Sequence, residues 1–272
     1  MMFKNLNTLL LAGLLAATVI SCKKSEAPQQ SDPTVSQQVL DRIDKLGFST
    51  ENVIARDGGY LVEGDILLTD ENLKADVNSP NLRIAEDEQY RTTNLVTALP
   101  RVITVSVSSM PTPYSQATDV AIARYNAENL QITFQRVNSG GNIQIIGFNE
   151  GPSGGYITLG SAGFPTSSGN PYNQIKMNTN EAAYGSNPDV NYLASVLTHE
   201  MGHCIGFRHT DYMNRAYSCG GRRSNEGSAG VGAIRIPGTP SKADAESWML
   251  ACSNGGNRLF NPNDVIALNY LY

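Results

Sequence analysis

The segment that decides the fold reads His199-Glu200-Met201-Gly202-His203-Cys204-Ile205-Gly206-Phe207-Arg208-His209. These eleven residues contain all three histidines of the chain. Residues four apart lie on one face of an α-helix, so His199 and His203 can bind the same metal ion. Gly206 can adopt a positive φ and end the helix, which would turn His209 back toward that ion. The spacing therefore predicts a helix, a sharp turn and three imidazoles around one metal.

Three neutral nitrogen ligands leave the fourth position of a zinc ion open for water, which is typical of a catalytic rather than a structural site. Glu200 directly follows the first ligand and is placed to accept a proton from that water, whose pKa falls from about 15.7 to about 7 on a catalytic zinc. We therefore predict one catalytic Zn²⁺ held by His199, His203 and His209. Glu200 is the predicted general base in the attack of this water on a polarised carbonyl.

A long helix is predicted to carry the first two histidines. Residues 187–189, Asn-Pro-Asp, supply a side-chain cap, a proline at the first turn and an acid near the positive end of the helix dipole. Upstream, apolar periodicity predicts a strand from Arg101 and then one helix and four short strands, at 113–126, 130–134, 142–148, 156–159 and 174–177.

The eleven-residue segment resembles the zinc signature HExxHxxGxxH of the metzincin metallopeptidases, whose fold places a methionine-bearing turn beneath the metal. Residues 244–250, Asp-Ala-Glu-Ser-Trp-Met-Leu, resemble that Met-turn, with Met249 as its methionine. Residues 262–272 resemble the closing C-terminal helix of the same fold. The resemblance spans about 101–272 and implies an α+β catalytic domain with a mixed twisted sheet, a long zinc-binding helix, a Met-turn and a C-terminal helix.

Within the metzincins, residues 199–211 are most similar to the bacterial dual-action HEIGH metallopeptidases, the protease B group. This resemblance implies a zinc endopeptidase that hydrolyses peptide bonds in protein or peptide substrates, through a metal-bound water activated by Glu200. A substrate strand is expected to add to the sheet edge near 156–159. The alternative is a surface lipoprotein that uses the fold to bind a protein or glycan without hydrolysis. The presence of Glu200 favours the enzyme, since a binding module does not need that carboxylate.

The N-terminus has the pattern of an export signal. Lys4 precedes a twelve-residue apolar run, 9–20, which suits a signal peptide and is too short to span a bilayer. The run ends in Val-Ile-Ser-Cys22, which resembles a bacterial lipobox whose cysteine receives the lipid; an ordinary secretory signal with a chance cysteine is the alternative. Residues 22–38 are polar and predict a flexible tether. We therefore expect a lipoprotein signal peptide over 1–21 and a protein anchored to a bacterial membrane, facing the periplasm or the cell surface.

Residues 39–100 are predicted to be a pro-segment-like region followed by a linker. A short amphipathic helix is predicted at 39–47 and a strand interrupted by Gly-Asp at 60–68, while 70–100 are polar. Val62-Glu63-Gly64-Asp65-Ile66 resembles the astacin pro-segment motif, although Val62 stands where that motif has Phe. The resemblance implies that Asp65 ligates zinc in a latent enzyme, which cleavage within 75–101 would activate and release. A plain Gly-Asp turn between two strands is the alternative.

The remaining cysteines are Cys204, Cys219 and Cys252, an odd number that allows at most one disulfide. Spacing alone does not settle the pairing. We favour Cys219 with Cys252, because both lie in loop-like sequence and Cys204 lies in the helical pattern. The chain of 272 residues has a net charge of −5 and 17% charged residues, which argues against nucleic acid as a partner.

Overall fold

The computed structural model of the chain describes residues 35–74, 89–153, 155–221, 223, 225–226, 232–240 and 243–272. All of them belong to one unit, Thr34–Tyr272. The predicted signal peptide, Cys22 and most of the predicted tether lie outside the described residues. Within the described ranges, no helix is both long and apolar enough to cross a bilayer.

The described residues of this unit form ten strands and seven helices. The described strands are β1 (Ile54–Arg56), β2 (Gly59–Val62), β3 (Ile66–Thr69), β4 (Tyr90–Arg91), β5 (Arg101–Val107), β6 (Ile132–Arg136), β7 (Ile143–Phe148), β8 (Gly160–Ala162), β9 (Gln174–Asn178) and β10 (Ile234–Arg235). The described helices are α1 (Gln37–Lys45), α2 (Asp70–Lys74), α3 (Thr112–Ala127), α4 (Glu181–Tyr184), α5 (Val190–Ile205), α6 (Ala216–Cys219) and α7 (Pro262–Leu271).

Eight strands form one mixed sheet in the order β1-β2-β3-β8-β9-β7-β5-β6. Strands β6, β5, β7 and β9 are parallel to one another, whereas β8 is antiparallel to β9. The hairpin strand β3 pairs in parallel with β8, while β4 and β10 form a separate two-stranded sheet. The predicted α+β fold with a mixed sheet is confirmed.

Helices α3 and α5 pack against each other and share the main hydrophobic core with the central strands. Ala117 and Ala121 of α3 and Leu193 and Leu197 of α5 are fully buried there. The alanines leave room for the helices to approach closely, and each buried leucine contributes about 2 kcal/mol by removing apolar surface from water. This packing holds α5, which carries His199 and His203, in a fixed position.

The ends of α5 follow from local sequence chemistry. The side chain of Asp189 caps the helix by accepting a hydrogen bond from the Tyr192 N–H at 2.8 Å. Pro188 precedes this cap, so it lies just outside the first turn in which it was predicted. Gly206 ends the helix with a left-handed φ of 108°. A Cβ there would lie 2.7 Å from the Leu95 side chain, so Gly206 is needed both for its conformation and for space.

Residues 37–74 have a small hydrophobic core of their own. Helix α1 begins at Gln37, two residues inside the predicted tether, and is capped by Ser36. Six of the seven residues of this core come from the N-terminal region, and Phe164 is the seventh; the six are Ile43, Leu46, Phe48, Val62, Ile66 and Leu68. The N-terminal region therefore packs mostly within itself, and its strand β3 joins the edge of the main sheet.

Residues 89–100 differ from their prediction as a linker, because several of them pack into the main part of the fold. Gln89, Tyr90, Thr92 and Val96 are buried. The Thr92 N–H donates to the Gly206 carbonyl at 2.8 Å, and the Gln89 amide donates to the Ser247 hydroxyl at 3.1 Å. The segment is polar in sequence because it fills hydrogen-bonding positions, not because it faces water. The main part of the fold therefore includes residues before 101.

The strand expected at 156–159 is also displaced. Strand β8 begins at Gly160, and the Leu159 carbonyl accepts from the Asn178 N–H at 2.9 Å and from the Tyr184 hydroxyl at 2.9 Å. Four residues are too few for alternation to set the start of a strand.

Candidate metal centre

Three histidines and one aspartate meet at a single point. Asp65 Oδ2 lies 3.1 Å from His209 Nε2 and 3.6 Å from His199 Nε2, and the Nε2 atoms of His203 and His209 are 3.2 Å apart. One ligand atom from each of the four residues lies within 4.8 Å of the others. The structure thus brings together the three ligands predicted from spacing and the aspartate predicted from resemblance.

The outward-facing nitrogens fix the protonation of the rings. His199 Nδ1 lies 3.0 Å from the Trp248 carbonyl, His203 Nδ1 lies 2.9 Å from the Phe207 carbonyl, and His209 Nδ1 lies 2.7 Å from Glu226 Oε1. Carbonyl and carboxylate oxygens only accept, so each Nδ1 carries the proton and each Nε2 presents a lone pair.

The donor set fits a zinc ion. Three Nε2 lone pairs and a carboxylate oxygen that face one point repel one another unless a cation lies between them. Imidazole nitrogen and carboxylate oxygen are common zinc ligands, and four of them suit its tetrahedral preference. Burial lowers the pKa of His203 well below its usual value, and the neighbouring histidines add to this effect, so the ring stays in the neutral form that binds metal.

Glu200 lies beside this cluster with an unused acceptor. Its side chain is buried, and Oε2 has no hydrogen-bond partner. Burial raises the pKa of Glu200 well above its usual value, and the negative charge of Asp65 raises it further. A carboxylate with a raised pKa is suited to take up a proton and hold it near neutral pH. Gly160 leaves it space, since a Cβ there would lie 2.8 Å from Glu200 Oε1.

The predicted Met-turn packs directly against α5. Met249 is buried, and a Cβ on Gly202 would lie 2.7 Å from its Sδ and 2.4 Å from the Trp248 ring. The Met249 carbonyl accepts from the N–H of Thr210 at 2.8 Å, next to the third histidine. Because the backbone carbonyl of Trp248 also accepts a hydrogen bond from His199, the turn supports two of the three rings.

A sequence model of the dual-action HEIGH metallo-peptidase family matches residues 60–272. The chain belongs to this family. It is a zinc metallopeptidase. The match begins at Tyr60, so it includes the β2–β3 hairpin and Asp65 as well as the histidines.

Solved structures of other zinc peptidases show a partial similarity to this HEIGH metallopeptidase. Two structures of myroilysin are 15% and 16% identical, cover 64% and 66% of this chain and 83% and 96% of their own, and give TM-scores of 0.38 and 0.42. High choriolytic enzyme 1, a hatching-enzyme zinc protease from Oryzias latipes, is 15% identical to this chain. The match covers 62% of this chain and 88% of that protein, with a TM-score of 0.36. No curated protein matches the chain significantly.

Asp65 of this HEIGH metallopeptidase reaches the cluster from the turn between β2 and β3. Glu63 and Gly64 both have a positive φ, 58° and 93°, which turns the chain so that the Asp65 side chain faces the histidines. The Asp65 carbonyl accepts from the Ala162 N–H of β8 at 3.0 Å.

A disulfide joins Cys219 and Cys252, and Cys204 is a buried free thiol. Asp211 connects the bridge to the loop after the third histidine. Its Oδ2 accepts from the Ser218 hydroxyl at 2.6 Å, and its Oδ1 accepts from the Ala251 N–H at 2.9 Å. The bridge and Asp211 together tie that loop to the Met-turn.

Sequence reasoning missed two buried charged groups beside the metal cluster, Glu226 and Arg208. Glu226 contacts His209, Arg208 and Arg215 at distances between 2.7 and 3.4 Å. Glu226 lies in a polar stretch without periodicity, where no spacing rule relates it to a histidine seventeen residues earlier. Arg208 stands inside the quoted segment, but its position there does not reveal that the side chain is buried.

Proposed function

We propose that this zinc metallopeptidase is an endopeptidase that cleaves protein or peptide substrates, with Glu200 as general base and then proton donor. The observation that carries the proposal is the unpartnered, buried Glu200 Oε2 beside three converging Nε2 atoms. A buried acceptor without a partner costs about 1–3 kcal/mol, which is expected where a substrate or water supplies the missing partner during function.

His199, His203 and His209 would hold one zinc ion. When bound, zinc supplies Lewis-acid chemistry: it polarises a carbonyl group and makes a water molecule more acidic. Glu200 accepts a proton from the attacking water at Oε2 while the water oxygen bonds to the scissile carbonyl carbon. The same carboxyl group then passes this proton to the amide nitrogen as the C–N bond breaks, which regenerates the carboxylate.

A digestion separates the enzyme from a non-catalytic binding protein. The activated chain is incubated with a peptide library with no addition, with a chelator, and with a chelator followed by excess Zn²⁺. We expect internal cleavage that the chelator abolishes and zinc restores. Binding of peptides without any cleavage would support the binding protein, and release of single terminal residues only would contradict an endopeptidase.

We further propose that the chain is a zymogen in which residues 35–74 block the site. Two observations support this. Asp65 Oδ2 lies 3.1 Å from His209 Nε2 and would be the fourth ligand of a zinc ion held by the three histidines. Strand β3 pairs with β8, so a substrate strand has no free edge there while β3 remains in place. Because residues 37–74 pack mostly within themselves, they can leave the cleft as one piece.

We place the activating cleavage within 75–88. Residues 89–96 include four buried side chains, and hydrogen bonds from two of them, Gln89 and Thr92, reach the Met-turn, α7 and the Gly206 cap of α5. A cut inside this segment would therefore damage the catalytic part. A cut before Gln89 separates residues 35–74 from the site and leaves these contacts intact.

The test of latency compares uncleaved parent, uncleaved Asp65→Ala and uncleaved Asp70→Ala. Asp70 is an exposed acid on α2 of the same region and serves as the matched control. We expect measurable peptidase activity in Asp65→Ala and none in the other two, with intact mass confirmed after the assay. Equal activity in parent and Asp65→Ala would reject Asp65 as the latency ligand.

Export and lipid attachment at Cys22 belong to the same proposal. The apolar run at 9–20 and the lipobox-like residues before Cys22 support an anchored precursor at a bacterial membrane. Cleavage within 75–88 would then both activate the catalytic part and release it from the membrane.

A further inference from the structure

The three histidines of the cluster differ in what holds their outer nitrogen. His199 and His203 donate to backbone carbonyls, whereas His209 donates to the carboxylate of Glu226 at 2.7 Å. Glu226 is fully buried, and its own N–H donates to the Tyr212 carbonyl at 2.7 Å, which fixes the backbone beside the ring. The third ring therefore has a charged partner that the first two lack.

Two arginines pair with this buried carboxylate. Arg215 Nη1 lies 2.8 Å from Oε1 of Glu226, the same oxygen that accepts from His209, and Arg208 Nη2 lies 3.4 Å from Oε2. Arg208 is itself buried, with its guanidinium over the Phe48 ring at 4.7 Å. The carboxylate that accepts from His209 is thus contacted by both guanidinium groups.

A second metal ion is the first alternative, because Glu63, Glu226 and His209 also lie within 4.8 Å of one another. The surroundings argue against it. His209 Nδ1 donates its proton to Glu226, so it has no lone pair for a second metal. Arg208 and Arg215 already neutralise Glu226, and their positive charges would repel another cation.

A purely structural ion pair is the second alternative. Two arginines would pair with a carboxylate equally well if no imidazole were present. Glu226 Oε1 nevertheless accepts from His209 at 2.7 Å, and Arg215 shares that same oxygen. The arginines are arranged so that the carboxylate faces the ring.

We propose that Glu226 is a positioning residue for the metal, which fixes the Nδ1–H tautomer of His209, directs its Nε2 at the ion and raises its basicity through a carboxylate charge. Carboxylate partners of metal-binding histidines act in this way in many proteins, and their loss costs about 10–100-fold in metal affinity. The inference rests on the proposed ligand role of His209. It adds a residue that neither the zinc signature nor the family match assigns.

The test measures zinc affinity of the full uncleaved chain, so it does not depend on activity. Parent, Glu226→Gln, Glu226→Ala and Asp264→Asn are titrated against a chromophoric zinc chelator, and each is also loaded with Co²⁺ for its visible absorption spectrum. Asp264 is the matched control: it is equally buried and accepts several hydrogen bonds, but from the Met-turn and α7 instead of from a histidine. Circular dichroism checks that each variant is folded.

We expect Glu226→Gln to lose about tenfold in zinc affinity and Glu226→Ala up to about 100-fold, with a changed Co²⁺ spectrum in both. Asp264→Asn should retain parent affinity and the parent spectrum, even if it is less stable. Affinity of the near-isosteric Glu226→Gln within about threefold of parent would overturn the proposal, as would an equal loss in Asp264→Asn. A parent that binds no zinc would instead contradict the metal site itself.

Discussion

Individual residues determine how closely the elements of this site pack, as Gly202 in α5 and Gly206 at its end show. Gly202 and Gly206 both stand where a methyl group would collide with packed atoms, from Trp248 and Met249 in one case and from Leu95 in the other. The absence of a Cβ at Gly202 lets the Met-turn lie directly against the helix that carries two ligands.

Substitution of Gly202 by Ala should therefore lower the free energy of unfolding by about 1–3 kcal/mol, because the new Cβ would lie 2.4 Å from the Trp248 ring. Urea denaturation of the zinc-loaded protein measures this change. Gly151→Ala is the control, since no atom lies within 4 Å of the position that its new methyl group would take, and it should change stability by no more than about 0.5 kcal/mol. Equal stability of Gly202→Ala and parent would show that the turn does not pack as described.

Some residues of the metal site could be predicted from the sequence, and others could not. The spacing of His199, His203 and His209 is local, so helix geometry and a glycine suffice to predict that they converge. Asp65 lies far away in sequence and could be predicted only from a motif. Glu226 carries no such signal, because its contact with His209 depends on how an irregular loop folds.

Among the elements, helix α7 is tied to the Met-turn by one buried acid. Asp264 completes a capping box with Asn261, and its carboxylate also accepts from the Trp248 N–H and the Ser247 hydroxyl. Burial raises the pKa of Asp264 to about 7 from an ordinary value of 3.8, although these hydrogen bonds oppose the shift. A single carboxyl thus links the last helix to the Met-turn.

This raised pKa predicts how stability depends on pH. A carboxyl group whose pKa is higher in the folded than in the unfolded protein stabilises the folded state while it is protonated. This contribution is fully present at a pH below the unfolded-state pKa, and it is lost as the pH rises through the folded-state pKa. From about pH 4 to pH 7, the parent should therefore lose on the order of 4 kcal/mol relative to Asp264→Asn. Urea denaturation of both proteins across this range gives the difference. Parallel curves for the two proteins would contradict the assignment.

The elements were predicted with uneven success for a physical reason. Caps and apolar periodicity are local, so α3 and α5 are predicted to within a few residues, whereas α7 was predicted from the resemblance to the metzincins. Pairing between strands is not local, so the parallel contact of β3 with β8 had no signal in the sequence. The burial of residues 89–96 was missed because buried polar side chains with partners have the same composition as a solvated linker.

In the whole molecule, the order of segments along the chain connects membrane attachment with latency. The lipobox-like cysteine precedes residues 35–74, and these precede the catalytic part. Substitution of Cys22 by Ser should abolish lipid attachment and move the protein from the membrane fraction to the soluble fraction of a producing bacterium, because the thiol is the acylation point. Fractionation and intact mass measure this, with Cys204→Ser as the control. Unchanged mass and fractionation in Cys22→Ser would contradict the anchor.

The central claim is that Glu200 is the general base in the hydrolysis of peptide bonds at a zinc ion held by three histidines. The most direct measurement compares kcat/KM and zinc content of activated parent and activated Glu200→Gln. The substitution leaves the ligands in place and removes the base, so zinc should stay near one per chain while kcat/KM falls by about 10²–10⁴. A variant that retains zinc and has kcat/KM within about tenfold of the parent would contradict the account.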